Sequence, residues 1–188
     1  MRSCGRAASS LFVPYAAAWV GNSRSKERSL PETEPDLAVC DQGTRTRVAI
    51  VAGVWHEAIS IGLIQGARSA LQESACDFEV FRVSNSFDIP IVTQALLETD
   101  WDATVALGVI IRGATSHFEH LSNAVTSGLG VVALQTRKPI GFGVLMVDTV
   151  QQALDRAGLP DSKEDKGREA AEWTLSTLTL LRRLRPSP

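Results

Sequence analysis

The chain has 188 residues, of which 44% are hydrophobic and 21% are charged, and its formal net charge at pH 7 is -2. This length is enough for one domain with a substantial core, and the near-neutral charge argues against a nucleic-acid partner, which needs a basic surface. No apolar run reaches the roughly 18 residues that a membrane span requires. The three cysteines show neither CxxC nor Cys/His spacing, so we expect no metal site. Their odd number and scatter indicate free thiols in a reducing cytoplasm, where we expect the protein to work.

The first 45 residues differ in composition from the rest of the chain. Residues 22–36, "NSRSKERSLPETEPD", hold too few apolar side chains to offset the entropy of ordering, and we predict a disordered extension. Residues 1–19 carry Arg2 and Arg6 and no acid, as an organellar targeting peptide would. They could equally be a functionless extension or reflect a start codon placed too far upstream, and we favour these two interpretations. The chain is therefore divided into an extension, residues 1–45, and a folded domain, residues 46–188.

From residue 47 short apolar runs alternate with amphipathic segments. "RVAIVAG" is rich in β-branched residues and ends in glycine, as a buried strand does. Asp88 is predicted to cap the second helix with Pro90 in its first turn, Asp148 or Thr149 to cap the fourth, and Gly158 to end it. The predicted strands are residues 47–53, 77–84, 103–111 and 140–147, and the predicted helices are residues 57–74, 89–98, 116–135, 150–158 and 166–184.

Strands separated by helices predict right-handed crossovers and a parallel sheet with helices on both faces. In such sheets ligands bind beyond the carboxyl ends of the strands. This rule selects four segments, one after each strand: "GVWHE", "SNSFD", "RGATSH" and "DT".

The segment "RGATSH" has the composition of an anion-binding loop. Gly113, Ala114 and Thr115 precede a helix, where small residues let backbone N–H groups approach an anion and the helix N-terminus favours negative charge. His117 follows in the first helical turn, and an imidazole can donate and accept protons near neutral pH. The simpler alternative is a capped helix with surface histidines.

Two other strand ends carry candidate ligand-binding residues. Trp55 could stack on a flat heterocycle or fill a gap under a loop. Asn85 tolerates left-handed backbone, and the N–H groups around Ser86 and Phe87 could bind a polyol or a ring edge. Asp88 could accept hydroxyl hydrogen bonds, although capping is the favoured interpretation.

Residues 47–184 resemble the lumazine synthase family. The motifs "ALGVIIRGATSHFEH", "SFDIP", "GFGVLMVDTVQQALDRAG" and "KGREAAE" carry the resemblance, in the family's order and spacing. It implies a flavodoxin-like three-layer α/β/α sandwich with a four-stranded parallel sheet, assembled into pentamers and sometimes into icosahedral shells. It also implies condensation of 5-amino-6-(D-ribitylamino)uracil with 3,4-dihydroxy-2-butanone 4-phosphate to 6,7-dimethyl-8-ribityllumazine, phosphate and water. This is the penultimate step of riboflavin biosynthesis, and no metal or organic cofactor is needed.

The resemblance also implies roles for particular residues. The proton-transferring residue would be His117. The substrate-binding residues would be Trp55 on the pyrimidine ring, Ser86, Phe87 and Asp88 on the ribityl chain, Ile110 and Ile111 at the pyrimidine edge, Gly113, Ala114 and Thr115 around the phosphate, and Phe142, Arg156 and Lys166 from a neighbouring subunit. The active site would thus be split between subunits. Without the resemblance, Arg156 and Lys166 would be interpreted as solvated charges flanking a turn.

The chain departs from the family pattern in three places. "SNSFDIP" replaces a usual Pro-Gly-Ala-Phe-Glu-Ile-Pro, so Asn85 stands for glycine and Asp88 for a longer glutamate, and we expect rearranged ribityl contacts. Val54 stands where arginine is common. The turn "GLPDSKEDKG" is longer than in many shell-forming members, which favours a pentamer or decamer over an icosahedral shell.

Two other functions remain open from the sequence. A relative that only binds a flavin or lumazine, or a structural shell protein, would keep the fold without the reaction. The intact "RGATSH" motif, Arg156 and Lys166 favour an enzyme, because a binding protein has little use for an imidazole beside a phosphate loop.

Overall fold

The computed structural model describes residues 45–184, so the predicted extension and the candidate targeting segment lie almost wholly outside the described residues. The strands of this part of the chain are β1 (Arg47–Gly53), β2 (Asp77–Val83), β3 (Ala103–Ile111) and β4 (Ile140–Val147). The helices are α1 (Glu57–Glu73), α2 (Ile89–Leu97), α3 (His117–Thr136), α4 (Val150–Leu154) and α5 (Lys166–Leu184), and a short 3₁₀ turn (Ser86–Asp88) precedes α2. No described helix has both the length and the apolar character needed to cross a membrane.

The strands form one parallel sheet in the order β2-β1-β3-β4. The predicted four-stranded parallel sheet is therefore confirmed, and its order is that of flavodoxin-like folds. The two central strands, β1 and β3, are buried along almost their whole length, as apolar runs covered on both faces should be. The edge strand β2 is more exposed, in agreement with its more polar sequence.

Alternate residues of β1 enter two separate cores because successive side chains point to opposite faces of a sheet. Val48, Ile50 and Ala52 belong to the core shared with α1, α4 and α5. Val51 belongs to the core shared with α2 and α3. The three-layer sandwich that the sequence predicts is thus confirmed.

Close approach of α1 and α5 depends on glycine. A Cβ built on Gly167, in the first turn of α5, would overlap the carbonyl oxygen of Leu63 in α1. Gly66 of α1 leaves the space that the Asp165 carboxylate occupies, and that carboxylate accepts a hydrogen bond from the backbone N–H of Arg168 at 2.9 Å. The start of α5 is therefore fixed by both backbone contact and side-chain capping.

Two predictions about helix ends are wrong. The fourth helix ends at Leu154 and not at Gly158, because the Asp155 carbonyl instead accepts the backbone N–H groups of Lys163 and Glu164 at 2.8 and 3.0 Å. Gly158 does adopt positive φ, at 68°, but it does so inside the loop that this pairing closes. The N-terminus of this helix is capped by Thr149, whose hydroxyl accepts from the N–H of Gln152.

The second error concerns Asp88. It directly precedes α2, and Pro90 lies in the first turn as predicted, but the Asp88 side chain makes no capping hydrogen bond. The cap belongs to the preceding 3₁₀ turn, where the Asn85 side-chain oxygen accepts from the N–H of Phe87 at 2.7 Å. Asn85 has φ -149°, so it does not use the left-handed backbone that asparagine tolerates.

Candidate active site

A step in the sheet creates the main cleft. β1 ends at Gly53 and pairs with β3 only as far as Leu107, whereas β3 continues beside β4 to Ile111. The projecting end of β3 forms one wall of a cleft of about 610 Å³, a size suited to a small-molecule site. The lining residues are Trp55, His56, Asn85, Ser86, Phe87, Val109, Ile110, Ile111, Gly113, Thr115, His117, Phe118 and Leu121.

Two large aromatic side chains line this cleft while remaining open to solvent. Trp55 is 65% exposed and Phe87 is 62% exposed. Exposed aromatic rings at the rim of a concave surface offer flat apolar faces for stacking. The structure thus excludes the alternative that Trp55 fills a gap under a loop.

The turn that carries Trp55 is held by hydrogen bonds from neighbouring elements. The Gly53 carbonyl accepts from the Ser60 hydroxyl at 2.7 Å and from the Arg82 guanidinium at 3.1 Å. The Val54 N–H donates to the carbonyl of Val83 at the end of β2. Because these bonds fix Gly53 and Val54, the two residues before Trp55, the position at which the tryptophan leaves the sheet is set by β2 and α1.

His56 is a cleft residue to which the sequence alone gave no role. It has φ 55° and ψ 64°, a left-handed conformation that costs energy for a residue with a Cβ. Its side chain makes no capping bond to α1 and lines the same cleft as His117. Such strain occurs preferentially at binding and catalytic sites.

Ser86 and its neighbours line another part of the main cleft. Ser86 is only 6% exposed, and its hydroxyl lies within 3.3 Å of where a Cβ on Gly108 would stand. The glycine of β3 therefore makes room for this serine at the cleft. Asp88 is half-buried and is not among the lining residues.

The loop between β3 and α3 brings an imidazole next to small residues. Gly113 and Thr115 line the cleft together with His117, the first residue of α3, whereas Ala114 is exposed outside the lining. The backbone N–H of His117 points towards the Thr115 hydroxyl at 3.4 Å. Ser116, which precedes the helix, makes no side-chain cap, so this helix start can accept an anion.

Arg112, immediately before this loop, is tied to two carboxylates. Its Nε donates to Asp148 Oδ1 at 2.7 Å, and its guanidinium also pairs with Glu119. It lies 4.1 Å from the ring centroid of Phe118. Hydrogen bonds to Asp148 and Glu119 raise the pKa of Arg112, and the same arginine lowers the pKa of Glu119. No role for Arg112 follows from the sequence, because Asp148 is distant along the chain.

The remaining predicted residues lie in a second, smaller cleft. Phe142, Arg156 and Lys166 line a volume of about 220 Å³ beside β4, and none of them lines the main cleft. Glu164 lies between the two cations. Its Oε1 is 3.7 Å from Arg156 Nη2, and its Oε2 is 2.5 Å from Lys166 Nζ. The hydrogen bond from Lys166 to Glu164 is the main cause that raises the pKa of Lys166, and the hydrogen bond to Glu169 is the second. The predicted site thus falls into two groups on one chain.

Within residues 45–184, no group of three or more His, Cys, Asp or Glu side chains is placed to hold a metal ion.

Comparison with known proteins agrees with these features. The family model described as 6,7-dimethyl-8-ribityllumazine synthase matches residues 45–182. A protein of that name from Clavibacter sepedonicus is 52% identical over 155 residues, which cover 82% of this chain and 95% of the relative. One from Leifsonia xyli subsp. xyli is 54% identical, covering 80% of this chain and 96% of the relative. One from Streptomyces coelicolor is 46% identical, covering 79% and 92%. The chain belongs to the 6,7-dimethyl-8-ribityllumazine synthase family.

Proposed function

We propose that this protein is a transferase, a lumazine synthase that condenses 5-amino-6-(D-ribitylamino)uracil with 3,4-dihydroxy-2-butanone 4-phosphate. The products are 6,7-dimethyl-8-ribityllumazine, phosphate and water. The observation that carries the proposal is the main cleft, which holds a stacking tryptophan, a small-residue anion loop and an imidazole in one volume.

The pyrimidine substrate binds between the first two strand ends. Trp55 stacks on the ring, while the backbone of Ile110 and Ile111, on the projecting end of β3, meets its polar edge. Ser86 and Phe87 hold the ribityl chain. Asp88 completes this contact only if its half-buried carboxylate turns towards the cleft.

The phosphate substrate binds at the start of α3. Backbone N–H groups of Gly113, Ala114 and Thr115 bind its phosphate with the favourable field of the helix N-terminus. Carbinolamine dehydration, phosphate elimination and ring closure each move protons, and His117 transfers them. Alignment of the two substrates supplies much of the remaining rate.

A second copy of the chain completes the site. We assign Phe142, Arg156 and Lys166 to the neighbouring subunit's half, with Arg156 on the phosphate, and their separation from the main cleft supports this assignment. Exposed apolar side chains on α3, such as Leu134 at 81% exposure, are suited to subunit contact. We propose a homopentamer or decamer that works in the cytoplasm, formed by residues 46–188 and preceded by the extension, residues 1–45.

The test is to mix the purified oligomer with both substrates and record the absorbance and fluorescence of the lumazine. We expect steady product formation with one phosphate released per turnover, and none when either substrate is omitted. Tight lumazine binding without turnover would contradict the proposal and would support the non-catalytic binding relative.

A further inference from the structure

We propose that Arg112 is a positioning residue that holds the anion loop, residues 113–116, in its binding conformation. The inference rests on the proposed function. Arg112 precedes the loop, and its guanidinium reaches Phe118 and Glu119, in the first turn of α3 beyond it. One side chain therefore joins the two ends of the loop.

The guanidinium is fixed from three directions. Asp148, at the end of β4, accepts from Nε at 2.7 Å, Glu119 pairs with a terminal nitrogen, and the Phe118 ring lies 4.1 Å away. The backbone N–H of Arg112 adds a hydrogen bond to the carbonyl of Val147 at 2.9 Å. Planar guanidinium groups suit this combination of carboxylate pairing and ring stacking.

Through these contacts Arg112 acts on both the anion loop and the imidazole of His117. Phe118 lines the main cleft and directly follows His117, so stacking on Arg112 orients the first turn that carries the imidazole. Because Arg112 is engaged with two carboxylates, it supports the loop and does not present a free charge to the phosphate. Its loss would leave Asp148 and Glu119 unpaired beside an anion site, where like charge opposes binding.

Arg47 provides a matched control at the opposite end of the sheet. It begins β1, lies 4.5 Å from the ring centroid of Trp101, and pairs with Asp100. Arg47→Gln and Arg112→Gln therefore remove the same kind of interaction, one far from the clefts and one beside the loop.

In the full-length oligomer, we expect Arg112→Gln to lower kcat/KM for the phosphate substrate by roughly ten- to a hundredfold, because misplacing positioning groups has effects of this size. The KM for the pyrimidine substrate should change little, since Trp55 and Phe87 are untouched. Binding of inorganic phosphate, measured by calorimetry, should weaken in parallel. Arg112→Lys should restore part of both, and Glu119→Gln, which removes one exposed partner, should give a smaller change in the same direction.

The outcomes distinguish this inference from the proposed function. If wild type binds phosphate but forms no lumazine, the proposed function fails while the phosphate measurement still tests Arg112. If Arg47→Gln causes the same losses as Arg112→Gln, or if phosphate binding is unchanged in both Arg112→Gln and Glu119→Gln, the positioning role is overturned.

Discussion

Two histidines begin α3, but only one of them lies at the cleft. His117 lines it, whereas His120, three residues later, is exposed and is not among the lining residues. Residues three apart lie only about 60° from each other around a helix but about 4.5 Å apart along it, so His120 lies further from the helix start and from the cleft. Identical chemistry at these two positions therefore has different consequences.

We predict that His117→Ala lowers turnover by roughly ten- to a thousandfold, near the usual contribution of general acid–base catalysis. His120→Ala should keep the wild-type rate, because it alters the same helix without touching the cleft. Steady-state kinetics with both substrates at saturation checks the pair. Wild-type turnover in His117→Ala would remove this residue from the mechanism.

At the residue scale, the sequence predicted cleft residues where a motif lay on one continuous segment. Gly113, Thr115 and His117 could be predicted because loop, helix start and imidazole follow one another along the chain. His56 and Arg112 could not. The first depends on a left-handed backbone angle, and the second on a carboxylate from β4 that only the fold brings near.

At the scale of elements, the packing of α1 against α5 fixes the position of Lys166, which lines the second cleft. Lys166 is the first residue of α5, and the backbone of Gly167 meets the backbone of α1 directly. The sequence predicted both helices but not their separation, since a contact between residues so far apart in the chain has no local signal. The misplaced end of α4 has a different cause, because hydrogen bonds from residues 163 and 164, beyond the predicted helix, determine it.

We predict that Gly167→Ala lowers the free energy of unfolding by about 1–3 kcal/mol, the usual cost of overpacking, because its Cβ would overlap the carbonyl of Leu63. Gly130→Ala, inside α3 where a Cβ meets open space, should instead stabilise by up to about 1 kcal/mol through helix propensity. Urea denaturation of both variants measures the difference. Equal stability of the two would contradict backbone contact between α1 and α5.

For the whole molecule, the separation of the two clefts is the main consequence of the fold. The sequence alone would have left Arg156 and Lys166 as surface charges, and the family resemblance assigned them to a neighbour. Their position beside β4, away from His117, is what a shared site requires. Under the proposed arrangement, each complete site combines the main cleft of one subunit with the second cleft of another.

We predict that His117→Ala and Arg156→Gln, each with reduced activity alone, recover activity when co-expressed. In an equimolar mixture, about a quarter of the interfaces of a head-to-tail ring would join two intact halves. His117→Ala mixed with Trp55→Ala should recover nothing, because both changes fall in the main cleft. No recovery in the first mixture, with hetero-oligomers shown by native mass spectrometry, would contradict a shared site.

Surface ion pairs also make the stability of the folded chain depend on pH. Arginine or lysine partners lower the pKa of the following carboxyl groups within residues 45–184: Glu73 by Arg168, Glu119 by Arg112, Asp155 by Lys163 and Glu164 by Lys166. A carboxyl group whose pKa is lowered on folding binds fewer protons in the native state, so its contribution is complete above the unfolded pKa and is lost as pH falls.

We predict that Tm falls as the pH drops below about 4, near the pKa of unfolded carboxyl groups. The fall should shrink in about 1 M salt, because exposed pairs are screened. Differential scanning calorimetry across the acid range measures it. A Tm that rises on acidification would contradict the direction of these pKa shifts.

The two-cleft arrangement has a consequence for the life of the protein in a cell. If the site is shared as proposed, a newly synthesised chain folds completely and still has no activity until a second copy supplies Arg156 and Lys166. Under that arrangement, activity would rise more steeply than in proportion to chain concentration wherever the subunits dissociate.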